Sequence, residues 1–191
     1  VTYQLGGPSE LRIFDHHGSR AASPKQPPIA SISGACITPE GHLLFNAVSY
    51  IEPAAWYIFD QTARTTTKTP LSIKSPVSFD DCEVVREFAT SKDGTKVPVN
   101  IIRKKSITLD GANPCLLTGY GGYGVNIEPA FRPALQVMLD RGFVWAQANI
   151  RGGGEYGEAW HRAGALIDKQ NCFDDFAAAC QHLISTKHTS S

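Results

Sequence analysis

Two apolar runs of strand length, CLLT (115–118) and FVWAQANI (143–150), each give way at once to a glycine-rich loop: GYGGYG (119–124) and RGGGEYG (151–157). Glycine directly after a buried strand lets the backbone bend sharply or approach another group closely. Both loops fit the spacing G-x-G-x-x-G, as Gly119-Gly121-Gly124 and Gly152-Gly154-Gly157, and Asp174 lies at about the ~20-residue offset of a dinucleotide site. Context rejects that reading. The acidic residue of a dinucleotide fold ends the second strand, whereas Asp174 and Asp175 open a predicted helix, FDDFAAACQHLIS (173–185). After the first loop, Pro129 and Pro133 forbid the long helix that should follow. Neither loop carries the Gly-Lys-Ser/Thr of a phosphate-binding loop. The glycines serve another purpose.

The rest of the chain divides into two textures. Residues 1–80 hold short strand-like pieces, SELRIFDHHG, ACITPEGHLLFNAVSY and AAWYIFDQTARTTT, broken by turn chemistry at Asp15-His16-His17-Gly18 and Pro39-Glu40-Gly41. This predicts an all-β region of stacked blades or sandwich strands. TKTPLSIKSPVSFDD (67–81), polar with two prolines, is the predicted linker. From 81 to 191 the pattern becomes α/β. VVREFAT (84–90) and KVPVNIIRKK (96–105) flank Lys92-Asp93-Gly94 and predict an antiparallel hairpin. CLLT then predicts a short buried strand, PALQVMLDRG (133–142) a helix closed by Gly142, and FVWAQANI a second buried strand. In the last helix the spacing puts Phe173, Phe176, Ala177, Cys180, Leu183 and Ile184 on one face, with Asp174 and Asp175 in the first turn.

Eighteen basic against eighteen acidic residues leave no net field to attract nucleic acid or an anionic membrane, so neither partner is expected. The chain opens VTYQLGG without a secretory pattern, and no run approaches the ~18 apolar residues of a membrane span. A soluble, intracellular protein is expected. The five cysteines lack any C-x-x-C pair and predict reduced, buried thiols. Glu158-x-x-His161 has the spacing of half a di-iron motif, but no second pair accompanies it, so no metal is expected.

A hairpin leading into alternating strands and helices is how α/β-hydrolases begin, and there the loop after the third strand supplies part of the oxyanion hole. GYGGYG occupies that place. Tyr120 and Tyr123 then offer a phenolic donor and an aromatic wall; the competing reading makes both loops simple strand ends with tyrosines capping the core.

The chain resembles the prolyl oligopeptidase family over ITLDGANPCLLTGYGGYGVNIEPAF and GFVWAQANIRGGGEYGEAWHRAGALIDKQNCFDDFAAACQHLIS. SKDGTKVPVNIIRKK is similar to the segment entering that family's catalytic domain, and FNAVSYIEPAAWYIFD to the last blade region of its β-propeller. The resemblance implies that 1–80 is the C-terminal part of a β-propeller and 81–191 the N-terminal part of an α/β-hydrolase domain. It implies a cytoplasmic, monomeric serine peptidase that cuts short peptides on the carboxyl side of proline without metal or organic cofactor. By position, Tyr120 is the oxyanion-hole tyrosine and Tyr123 matches an aromatic residue of the substrate pocket, usually Phe. Thr118 departs from a residue commonly Tyr. Arg151, Gly152, Gly153, Gly154 and Glu155, with His161, are read as a structural glycine loop.

No G-x-S-x-G elbow occurs, so the nucleophile of an α/β-hydrolase is missing, and Ser185, Ser190 and Ser191 do not replace it. In that fold order the elbow, Asp and His follow the last helix. The expectation is a fragment, inactive alone, with the triad beyond its end. The rival functions are a non-catalytic module binding proline-containing peptides and a dinucleotide-dependent oxidoreductase.

Overall fold

LLFNAVS and AWYIFD alternate buried and half-buried residues along their length, the two-residue period of strands with one face on a core. The computed structural model describes residues 1–191, which form two units: Val1–Pro76 with Glu128–Phe131, and Val77–Ile127 with Arg132–Ser191.

In the first unit β1 (Thr2–Gln4) and β2 (Ser9–Leu11) form a small ladder. β3 (Ala30–Ile37), β4 (Leu43–Ser49), β5 (Ala55–Asp60) and β6 (Thr65–Ser72) follow one another in a four-stranded antiparallel sheet. Phe45 stands opposite Tyr57 in the β4–β5 register, their rings stacked 5.5 Å apart, and both join Ile32, Leu43 and Phe59 in the core. The predicted linker is shorter than its sequence suggests, because residues 67–72 belong to β6. That strand is polar and exposed at the sheet edge, where Pro70 leaves no neighbour without a donor. Glu128 belongs to this unit through its carboxylate, which accepts from Ser31 Oγ and, at 3.5 Å, from Gln4 Nε2.

The second unit opens with the predicted hairpin, β7 (Cys82–Thr90) and β8 (Lys96–Lys104), closed by Gly94 N donating to Ser91 O at 2.9 Å. β9 (Cys115–Gly119), α1 (Leu135–Leu139), β10 (Val144–Ala148), α2 (Glu158–Arg162), a 3-10 turn (Leu166–Asp168) and α3 (Lys169–Ser185) follow. The sheet order is β7-β8-β10-β9, with β10 antiparallel to β8 and parallel to β9. Every residue of β10 is buried, as its apolar run predicts. Within these residues β9 pairs with β10 alone, and Leu116 is exposed. α1 is shorter than predicted, ending before Gly142, whose φ of 77° closes the turn.

α3 also departs from its predicted face. It begins at Lys169, so Asp174 and Asp175 lie in its second turn, and its buried residues are Cys172, Asp175, Ala178, Ala179 and Leu183. Phe173 and Ala177 face solvent. A buried carboxylate lies on the inner stripe, and apolar periodicity cannot anticipate it. The core of this unit gathers Val97, Val99, Ile101, Val144, Ala146, Ala179 and Leu183. All five cysteines are free thiols, but Cys36 is exposed rather than buried, just past the β3 irregularity between Ser33 and Cys36. No helix is long and apolar enough to cross a membrane.

Candidate functional site

β9 and β10 are neighbours and parallel, with Gly119 beside Ala148, so the glycine loops that follow them leave the sheet at the same end. They interlock. Gly124 N donates to Gly152 O at 3.1 Å, and Gly154 N to Val125 O at 3.1 Å. Gly121, at φ 60°, sits where a Cβ would meet Cys172 Sγ and Ile150 Cγ1 at 2.6 Å. A Cβ on Gly152 would strike Gly121 O and lie 2.8 Å from Gly164 O. Gly152 is thus accounted for by backbone packed on backbone, and Gly121 by the side chains of Cys172 and Ile150 pressed against it. The helix after Gly157 has only five residues, unlike the long phosphate-facing helix of a dinucleotide site.

Charged groups tie the second loop down. Arg151, almost fully buried, reaches Asp175 through Nη2 at 2.6 Å and Nε at 2.9 Å, while its backbone N donates to Asp175 Oδ2 at 3.0 Å. Its Nη1 donates to Asp93 Oδ2 at 2.5 Å, joining the hairpin turn to the loop. Fork-shaped pairing of this kind satisfies a buried guanidinium. The Asp175 hydrogen bonds, followed by those of Asp93, hold the guanidinium's pKa above its ordinary value, and Arg151 in turn holds the Asp93 carboxyl well below the usual range.

Glu155 is buried too. Its Oε1 accepts from Ile127 N at 3.1 Å and Asn149 Nδ2 at 3.3 Å, whereas Oε2 has no partner. Burial therefore pushes this carboxyl up. Asn149 Oδ1 accepts from Asn100 Nδ2 at 2.8 Å, which carries the network into the sheet. His161 Nδ1 lies 2.8 Å from Gly152 O; a carbonyl only accepts, so Nδ1 carries the proton.

The expected tyrosines lie on the first loop. Tyr120 is half exposed, and Tyr123 is 89% exposed at φ 54°, a left-handed conformation uncommon for a bulky side chain. Tyr123 lines an open pocket of about 860 Å³ with Gly122, His161, Leu166, Ile167 and Lys169. Behind the loop Thr118 Oγ1 donates to Gln147 Oε1 at 3.2 Å. The candidate half-motif splits: Glu158 pairs with Arg162 while His161 turns to Gly152. No group of three or more His, Cys, Asp or Glu gathers in a metal-binding arrangement. Ser185 Oγ donates to His182 O within α3.

Sequence reasoning did not single out Asp93, Asp175 or Lys169 at this site. Asp93 looked like turn chemistry and Asp175 like a helix-dipole partner. Both are partners of Arg151, 58 and 24 residues away, a pairing that no local spacing encodes.

The sequence profile of the Prolyl oligopeptidase family matches residues 129–191. The chain is 35% identical to a prolyl endopeptidase of Elizabethkingia meningoseptica over 193 aligned residues, covering 100% of this chain and 27% of that protein. Among solved structures, a prolyl endopeptidase studied for the role of inter-domain dynamics in catalysis and specificity superposes with a TM-score of 0.84 at 36% identity. The match covers 98% of this chain and 28% of that one. Prolyl oligopeptidase B from Galerina marginata, bound to a 35mer hydrolysis and macrocyclization substrate, gives 0.84 at 30% identity over 99% of this chain and 27% of its own. The chain spans about a quarter of the length of the curated relatives it matches.

Proposed function

We propose, because this chain belongs to the prolyl oligopeptidase family, that it is a piece of a serine-type peptidase hydrolysing short peptides on the carboxyl side of proline through an acyl-enzyme. The first unit, with four consecutive antiparallel strands, is read as late β-propeller strands. The second, a hairpin followed by parallel strands and helices, is read as the opening of an α/β-hydrolase domain.

The observation that carries the proposal is the half-exposed Tyr120 at the carboxyl end of β9, on a loop interlocked with a second, ion-paired loop. When a serine attacks a peptide carbonyl, charge collects on the carbonyl oxygen, and a donor already held in place stabilises it without reorganising. Tyr120 Oη is that donor in this reading, beside a backbone N–H from the nucleophile's own turn. Tyr123 and the pocket next to it border the bound peptide. Arg151, Gly152, Gly153, Gly154 and Glu155 keep the loops rigid. The serine, acid and base come from elsewhere in the longer protein, so the 191 residues alone bind at most and do not cleave. Cytoplasmic location and a monomeric parent accompany this reading; no metal or organic cofactor enters it.

The test is mass spectrometry of a proline-containing peptide incubated with the longer protein and, separately, with this chain. Products ending in proline from the longer protein alone are expected, and cleavage at other residues refutes the specificity. The 89% exposure of Tyr123 beside an open pocket favours one further reading, a non-catalytic peptide-binding module. Micromolar peptide binding by this chain, with no turnover by the longer protein, would support that instead.

A further inference from the structure

We infer that Lys169 is a positioning residue for Tyr120: its ammonium grips the loop that carries the phenol and sets where the hydroxyl stands. The inference rests on Tyr120 being the oxyanion donor. Lys169 is the first residue of α3, and its Nζ donates to Gly121 O at 2.6 Å. Cys172, three residues on and so on the same helix face, donates through Sγ to the same carbonyl at 3.3 Å. The ammonium also lies 5.8 Å from the centre of the Phe173 ring.

Gly121 is the residue after Tyr120 and stands at φ 60°. A glycine there has wide conformational freedom, and an unheld loop would sample several directions for its neighbour. The contact from Lys169 selects one. It is charge-assisted, roughly twice as strong as a neutral hydrogen bond, and Lys169 is half-buried. The ties from Arg151 and His161 hold the second loop, whereas Lys169 and Cys172 hold the first at the residue next to the phenol. An oxyanion donor misplaced by about 1 Å loses much of its effect, so this grip governs rate rather than peptide affinity.

The experiment compares Lys169→Met, Lys169→Arg, Tyr120→Phe and the double variant Lys169→Met/Tyr120→Phe in the longer peptidase, on a fluorogenic peptide with proline at the cleavage site. Lys169→Met is expected to lower kcat about tenfold, a fraction of the loss from removing the donor outright, while any accompanying change in KM comes from the pocket that Lys169 also lines. Lys169→Arg restores most of it. In the Tyr120→Phe background Lys169→Met changes kcat by less than about twofold, because the donor it positions is gone. A full tenfold loss in that background, or a change in KM alone, overturns the inference. If Tyr120→Phe itself leaves kcat unchanged, the oxyanion reading fails and this inference with it. If Tyr120→Phe lowers kcat while Lys169→Met does not, the inference alone fails. Should Lys169→Met not fold, Lys169→Gln, which keeps a neutral donor, takes its place with an intermediate loss expected.

Discussion

Replacing Arg151 with methionine keeps a long side chain in the glycine loop and removes the one cation facing two carboxylates. The two are not equivalent. Asp175 has a side chain with no exposure and Asp93 one that is 46% exposed, while the guanidinium between them is 5% exposed. Removing one partner of a buried ion pair costs about 3–5 kcal/mol, because the remaining charge is left buried without compensation. An exposed pair contributes only about 0.2–1 kcal/mol. Arg151→Met is therefore expected to lose about 3–5 kcal/mol, and Asp93→Asn no more than about 1 kcal/mol. Combining Arg151→Met with Asp175→Asn removes the charge of both buried partners, keeps an oxygen that accepts from the Arg151 backbone N–H, and should recover part of the loss. Urea unfolding followed by circular dichroism measures each value, with the midpoint moving and the slope constant if only stability changes. A loss below about 1 kcal/mol for Arg151→Met, or a double variant no better than the single one, refutes the claim that a buried charge pair anchors the loop.

Three further outcomes follow from the same geometry. Gly121→Ala and Gly94→Ala both place alanine at positive φ, but a Cβ meets atoms at 2.6 Å at the first site and open space at the second. Thermal unfolding should show Gly121→Ala the more damaging by about 1–3 kcal/mol, the cost of overpacking; equal losses would mean that backbone strain, not loop contact, explains the glycine. Burial raises the Glu155 pKa above its ordinary 4.5, so the folded state holds that proton after the unfolded chain has released it. This group's contribution to stability thus falls as pH rises from 4.5 through the folded value. Glu155→Gln should flatten that part of a plot of Tm against pH, and an unchanged slope counts against burial as the cause. Burial pushes the Cys82 thiol up to about 12 and Cys115 up to about 11, while Cys36 is exposed, so an aromatic disulfide reagent at pH 8 should label Cys36 first. Labelling of Cys82 at the same rate would contradict the packing.

The hairpin was legible because Lys92-Asp93-Gly94 is local turn chemistry, and β10 because eight consecutive residues, 143–150, lack any charge. Strand order was not legible. CLLT and FVWAQANI are both apolar runs of strand length, and nothing in either says that the later strand, β10, inserts between β8 and β9. β6 was hidden by its Thr and Lys content, which suits an exposed edge and resembles a linker. The inner face of α3 was misassigned because Asp175 is buried by a partner 24 residues earlier. The same limit hid the return of Glu128–Phe131 to the first unit. The positions of Tyr120 and Tyr123 were legible from GYGGYG following a strand; the side chains that hold that loop, Lys169 and Cys172, come from a helix nearly fifty residues on.

The most direct measurement of the proposed function is single-turnover acylation by the longer protein carrying Tyr120→Phe, with a proline-containing substrate. Loss of one oxyanion donor predicts acylation slowed about 100-fold at unchanged substrate affinity. Acylation at the unsubstituted rate would contradict the account, because the loop that the two glycine segments, Arg151 and Lys169 hold in place would then present nothing the reaction uses.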